Sequence, residues 1–179
     1  MRKTLVITVL LWATLILGCK EIDNPPQSDR EGALLDVNET SSTFWQYILT
    51  EDFEGFVSAW LFGHSTWSYC RAQFGRLDEL QKKLDEDHPE AGIFILGVNR
   101  AGLGDNEGMC EGRDLPWLQD TIEDDWWGSW GVSAFDVVII DRQGNEFDVF
   151  NLADHDLSDT DEFAALEAIL LDVAGLETE

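Results

Sequence analysis

Basic side chains are scarce: 11 lysines and arginines stand against 36 aspartates and glutamates, a formal charge of −25 over 179 residues. A surface this acidic repels phosphate, which argues against a nucleic-acid partner and gives no attraction to anionic headgroups. It suits cations or a basic partner, or is simply a solvated coat. Cysteine is rarer still, with Cys19, Cys70 and Cys110 the whole supply. Internal repeats are missing, and a long apolar run occurs once, from Leu5 to Leu17. That run falls short of the roughly 20 residues a spanning helix needs.

What is present at the start is an address. Arg2 and Lys3 open it, the apolar run follows, and small Gly18 precedes Cys19. These are the three parts of a secretory signal, expected to be removed from the mature chain. The ending Ile16-Leu17-Gly18-Cys19 resembles the lipobox of bacterial lipoproteins. The resemblance implies a signal peptide over residues 1–18, acylation of Cys19, and a domain held outside the cytoplasm on a membrane of the bacterial cell envelope. Acyl chains of this kind anchor a protein without a spanning helix. An ordinary secretory signal and an uncleaved anchor are the other readings. Loss of Arg2 and Lys3 would take the charge from −25 to about −27.

Residues 19–32 are polar, carry Pro25-Pro26 and show no apolar period, so they read as a tether. Residues 33–179 are then long enough for one domain with a sizeable core. Ser42-Thr43 offers a cap for a short helix bearing Phe44, Trp45, Tyr47, Ile48 and Leu49. Phe56 to Phe62 is almost uncharged, as in a strand buried on both faces. From Ser68 to Leu84 the apolar positions Cys70, Phe74, Leu77, Leu80 and Leu84 recur at helical spacing, and Ile93 to Val98 follows as a second strand. Strand, helix and strand in this length make one parallel crossover. The glycine-rich stretch from Asn99 to Arg113 reads as a long loop, and Leu115 to Trp127 as a weak helix. Val137 to Ile140 is a third buried strand, and Glu146 to Phe150 its antiparallel partner across a turn at residues 142–145. Ser158 and Thr160 then cap a last helix, which Gly175 ends. The order β-α-β-α-β-β-α is that of an α/β thioredoxin-like fold, a mixed parallel and antiparallel sheet with helices on both faces.

In such a layout the chemistry lies where the first crossover strand meets its helix, because free N–H groups and the helix dipole stabilise a thiolate there. Here the junction reads Gly63-His64-Ser65-Thr66-Trp67-Ser68-Tyr69-Cys70. Four stretches carry a family resemblance: Val57 to Phe62; Ser68-Tyr69-Cys70-Arg71-Ala72-Gln73; Leu115-Pro116-Trp117-Leu118-Gln119-Asp120; and Asp136-Val137-Val138-Ile139-Ile140-Asp141-Arg142. In order and spacing they resemble the N-terminal thioredoxin-like domain of selenoprotein P and its bacterial relatives, over most of residues 56–174. The resemblance implies that the redox nucleophile, a selenocysteine or cysteine, belongs at Trp67, that Cys70 matches its resolving partner, and that Asp136 stands where thioredoxins have a cis-proline. Tryptophan cannot exchange thiols, so dithiol activity does not carry over.

Two functions stay open at this point. In one, the domain is a membrane-tethered thiol-redox protein working through Cys70, with a protein or peptide thiol as partner and Cys110 as resolving residue. In the other, it is a redox-silent binding module whose old active-site face holds a partner. Cys70 and Cys110 as a static disulfide, or as two buried thiols, fit the second. His64 is a base candidate near Cys70, although a lone loop histidine is more often a surface residue. Neither function implies a cofactor. Asp154, Asp156, Asp159, Asp161 and Glu162 lack the spacing of a calcium loop, and helix capping accounts for the last two, so no metal is assigned. Trp126, Trp127 and Trp130 suggest a peptide groove, with core packing the commoner fate of clustered tryptophans.

Overall fold

The computed structural model describes residues 26–176, so the signal, Cys19 and the first part of the tether lie outside the described residues. Among the described residues one seven-stranded sheet runs in the order β2 (Tyr47–Ile48), β1 (Leu34–Asp36), β5 (Trp117–Gln119), β4 (Ile93–Asn99), β3 (Val57–Gly63), β6 (Asp136–Ile140) and β7 (Glu146–Asn151). Its centre is β3 (Val57–Gly63), every residue of which is buried. Apolar side chains pointing both ways leave such a strand only one place, with a layer on each face. It pairs in parallel with β4 (Ile93–Asn99) and antiparallel with β6 (Asp136–Ile140). β7 (Glu146–Asn151) closes that side as an edge strand.

Between β3 and β4 runs α1 (Ser68–Asp87), which buries Cys70, Phe74, Leu77, Leu80 and Leu84 against one face of the sheet. The expected crossover is there, with a helix one turn longer than the periodicity indicated. The last helix, α4 (Thr160–Val173), packs beside α1 on the same face. Its cap is Asp159, which accepts the Asp161 N–H at 2.8 Å. The opposite face carries Trp60, Phe62, Leu96 and Val98, covered by α3 (Trp126–Trp130). Helices therefore lie on both faces, as the sequence indicates.

Three local readings are corrected. Residues 44–49 form turns and then strand β2 (Tyr47–Ile48), not a helix, and a 3-10 helix follows at Thr50–Phe53. Ser41 and Thr43 spend their hydroxyls on this turn and on Asp36, in the neighbouring strand β1 (Leu34–Asp36). The stretch from Leu115 to Trp127 is likewise split: β5 (Trp117–Gln119) joins β4 and β1, and α3 starts at Trp126. The supposed long loop contains a one-turn helix, α2 (Glu107–Cys110), whose Met109 is buried.

Trp117 organises the layer under α1. Its ring lies 4.9 Å from that of Phe74 and across the backbone of β3 and β4. A Cβ added to Gly63 would fall 2.8 Å from the Trp117 ring, and one added to Gly97 would overlap it outright. Glycine at these two strand positions is a packing requirement, since it lets a large ring approach bare backbone.

Candidate functional site

At the junction of β3 and α1 a short turn leads from the strand into the helix. The Trp67 N–H donates to the His64 carbonyl at 3.0 Å, and Trp67 itself is the extended residue preceding the first helical turn. No side chain caps the helix. Ser68 is its exposed first residue. One turn in, the Cys70 sulfur has no exposed surface and accepts the backbone N–H of His64 at 3.2 Å. That N–H and the Arg71 charge favour the thiolate, but burial outweighs both and pushes the Cys70 thiol above its ordinary value. A protonated thiol is a poor nucleophile.

The same turn carries an aromatic cluster. The His64 ring stacks on Trp67 with centroids 4.3 Å apart and planes 12° from parallel, and its Nδ1 is 3.0 Å from the Thr66 hydroxyl. Burial, and then the charge of Arg100, hold the His64 imidazole below its usual pKa. It is the backbone N–H of His64 that bonds Cys70, while the ring, expected as a base, stacks on Trp67. Trp67 remains 44% exposed and so presents a surface. Tyr69 donates its hydroxyl to the Leu152 carbonyl and meets Phe135 edge-on at 5.2 Å.

Phe135 is the residue the sequence did not single out. It precedes β6, at the place where Asp136 was expected to face the site, and its ring lies 5.6 Å from Trp67. Its backbone is left-handed, with φ at 76°. For a bulky residue this conformation costs about 1 to 2 kcal/mol, so the surroundings impose it. The Phe135 N–H donates to the Phe62 carbonyl and its own carbonyl accepts from Leu152, both at 2.9 Å. Asp136 turns away: one carboxylate oxygen accepts from the Ser133 N–H at 2.7 Å and the other from the Asn151 amide at 2.6 Å. It clamps the loop and β7, and leaves the site face to Phe135.

A second missed residue is Asn99, fully buried at the end of β4. Its carbonyl oxygen accepts the Ser65 N–H at 3.1 Å, and its amide donates to Leu103, Asn106 and Gln119 at 2.8 to 2.9 Å. One side chain thus ties the turn before α1 to the glycine-rich segment. A buried polar residue closing a strand is a visible signal, but nothing in the sequence says which loops it joins.

Cys110 lies on α2, against the same core as Cys70, and both thiols are free in this structure. It lines a cavity of about 560 Å³ with Val37, Glu39 and Glu107. Burial and the nearby Asp36 and Glu39 carboxylates push its pKa to about 12, against the pull of Arg113. Neither thiol is ionised near neutral pH. The acidic segment after β7 is used locally, as Asp156 accepts from the Ser158 N–H at 2.8 Å and the Gln73 amide at 2.6 Å. Trp126 and Trp127 are buried against Trp60 and Phe62, with the more open Trp130 packed on them, so the tryptophan cluster is core and not a groove.

Comparison with solved structures agrees with the fold. A candidate protein disulfide isomerase from Bacteroides thetaiotaomicron superposes with a TM-score of 0.61 at 17% identity, over 80% of this chain and 85% of that one. A candidate thiol:disulfide interchange protein DsbE from Chlorobium tepidum gives 0.57 at 22%, over 80% and 92%. The exposed lipoprotein thioredoxin of Streptococcus pneumoniae gives 0.51 at 19%, over 66% and 86%. The sequence matches no protein-family model and no curated protein. The domain has a thioredoxin-like fold.

Proposed function

We propose that this chain is a lipid-anchored protein of the bacterial cell envelope whose thioredoxin-like domain is a redox-silent binding module. The observation that carries the reading is the burial of Cys70: its sulfur has no exposed surface, and that burial holds its thiol above the ordinary range. The resemblance to selenoprotein P adds that Trp67 occupies the nucleophile's position. In place of a reactive sulfur, the old active-site face offers His64, Trp67, Tyr69 and Phe135, a set suited to stacking on a protein or peptide partner. Anchoring rests on the signal-like residues 1–18 and on Cys19.

A second reading, thiol-redox chemistry through Cys70, is favoured by one feature: the His64 N–H and Arg71 both stabilise the Cys70 thiolate. A turnover assay separates the two. The purified domain should not reduce insulin disulfides with dithiothreitol, whereas Trp67→Cys should gain measurable turnover because the turn and the partner thiol are in place. Wild-type turnover comparable to that of a dithiol enzyme would end the redox-silent reading. The anchor has its own test. In a bacterium the wild type should incorporate labelled palmitate, and Cys19→Ala should remain an unprocessed precursor.

A further inference from the structure

The parallel ladder between β4 and β5 begins only at Gly97, opposite Trp117. Pro116 accepts the Gly97 N–H at 2.9 Å, yet as a proline it has no N–H with which to carry the ladder further back. The chain before it leaves the sheet, with the Asp114 N–H held by Asp78 at 2.7 Å. On the β5 side the first half of β4 is consequently an interior edge without a neighbouring strand, while its other side pairs with β3.

A side chain takes the strand's place. Gln81, from α1, accepts the Ile95 N–H at 2.8 Å and donates to the Ile93 carbonyl at 3.0 Å, the two bonds that one residue of a parallel neighbouring strand would make. The same Gln81 nitrogen donates to Asp85 at 2.8 Å. Beside this edge opens a cavity of about 520 Å³, walled by Ile48, Phe53, Phe94 and Leu115. Such a volume is in the range of ligand sites. Phe94 is 41% exposed and meets Phe53 at 5.5 Å and the equally open Phe56 at 5.3 Å, so an aromatic row leads out of the cavity. On the α1 side its rim carries Asp78, Asp85 and Asp114 against one cation, Lys82, already bonded to Asp78 and Asp114.

We infer that this edge is a docking groove for an extended peptide of alternating apolar and basic residues, which adds as a strand to β4 and displaces the Gln81 amide. Side chains of a strand alternate between faces. The apolar set meets the Phe53 and Phe94 face, and the basic set meets Asp85, which loses its Gln81 partner on displacement. The charge of −25 favours the same peptide over an acidic one or a second copy of this chain. Main-chain pairing supplies affinity and the two faces supply selectivity. The groove lies midway along α1, away from Trp67, and does not depend on the redox-silent reading.

The test uses the mature chain and fluorescein-labelled Lys-Val-Lys-Val-Lys-Val, followed by anisotropy, with versions N-methylated at the lysines or at the valines. Wild type should bind the plain peptide, and at least one methylated version should bind about tenfold more weakly or worse. Gln81→Ala should bind the plain peptide about three- to tenfold more tightly, because the competing amide is gone, and Asp85→Asn should weaken it about threefold. The Ile95 amide should shift in the nitrogen–proton spectrum. Equal binding of all three peptides would overturn the inference, and so would unchanged affinity in Gln81→Ala. Absence of binding by both wild type and Gln81→Ala would also overturn it, whether the groove holds the chain's own tether, a second copy or nothing.

Discussion

Phe135 holds its ring 5.6 Å from Trp67 with its backbone at φ 76°, a conformation bulky side chains avoid. Strain and stacking at this residue can be separated. Phe135→Gly and Phe135→Ala both lose the aromatic contacts, but glycine alone is released from the backbone cost. The glycine variant should be more stable than the alanine variant by about 1 kcal/mol in urea denaturation. Equal stability would show that Phe135 is not strained.

Gly97→Ala tests the packing below the site. The new methyl overlaps Trp117 and meets Phe74, two large buried rings that have nowhere to go. A loss of about 3 kcal/mol is expected, with part of it recovered in the double variant Gly97→Ala and Trp117→Leu. A neutral Gly97→Ala would mean that the ring does not cross the strand closely.

Much of this fold is legible from periodicity because its central elements are long or wholly apolar. Phe56 to Phe62 and Val137 to Ile140 announce buried strands, and the spacing from Cys70 to Leu84 announces α1. The other half of the sheet is not legible in the same way. β1, β2 and β5 have two or three residues each, too few for any period, and β1 ends on the buried carboxylate of Asp36. That carboxylate accepts from the nearby Asn38 amide and Thr43 hydroxyl and from the Trp117 amide, 81 residues away, a partner that no local pattern reveals. At the site the turn from His64 to Cys70 is readable as a motif. Phe135 is not, because its role comes from a positive φ about 70 residues away in sequence.

Asn99→Ala removes the side chain that joins the turn before α1 to the segment at Leu103 and Asn106. Loss of its bonds leaves buried amides without partners, and about 2 to 4 kcal/mol of destabilisation should follow. Hydrogen exchange at Ser65 should quicken more than exchange in β3. Unchanged exchange there would show that Asn99 does not hold the turn.

His64 gives the pH dependence its sign. Burial and Arg100 hold its folded-state pKa below the ordinary 6.5, so the unfolded chain binds the proton more readily. Its contribution to stability is complete above about 6.5 and falls away as the pH drops toward the folded value. Nuclear magnetic resonance should find the His64 midpoint below 6.5, and Trp67→Ala, which uncovers the ring, should raise it. A midpoint at or above 6.5 in the wild type would reverse the sign.

The most direct measurement on the redox-silent reading is the labelling rate of Cys70 in the native protein. Maleimide labelling at neutral pH, followed by peptide mass spectrometry, should modify Cys70 at least about a hundredfold more slowly than in the denaturant-unfolded chain. Brief exposure to mild peroxide should leave both Cys70 and Cys110 as free thiols. Labelling of native Cys70 at close to the unfolded rate, or its rapid conversion by peroxide to a sulfenic acid or a disulfide with Cys110, would contradict the reading and return the domain to thiol chemistry.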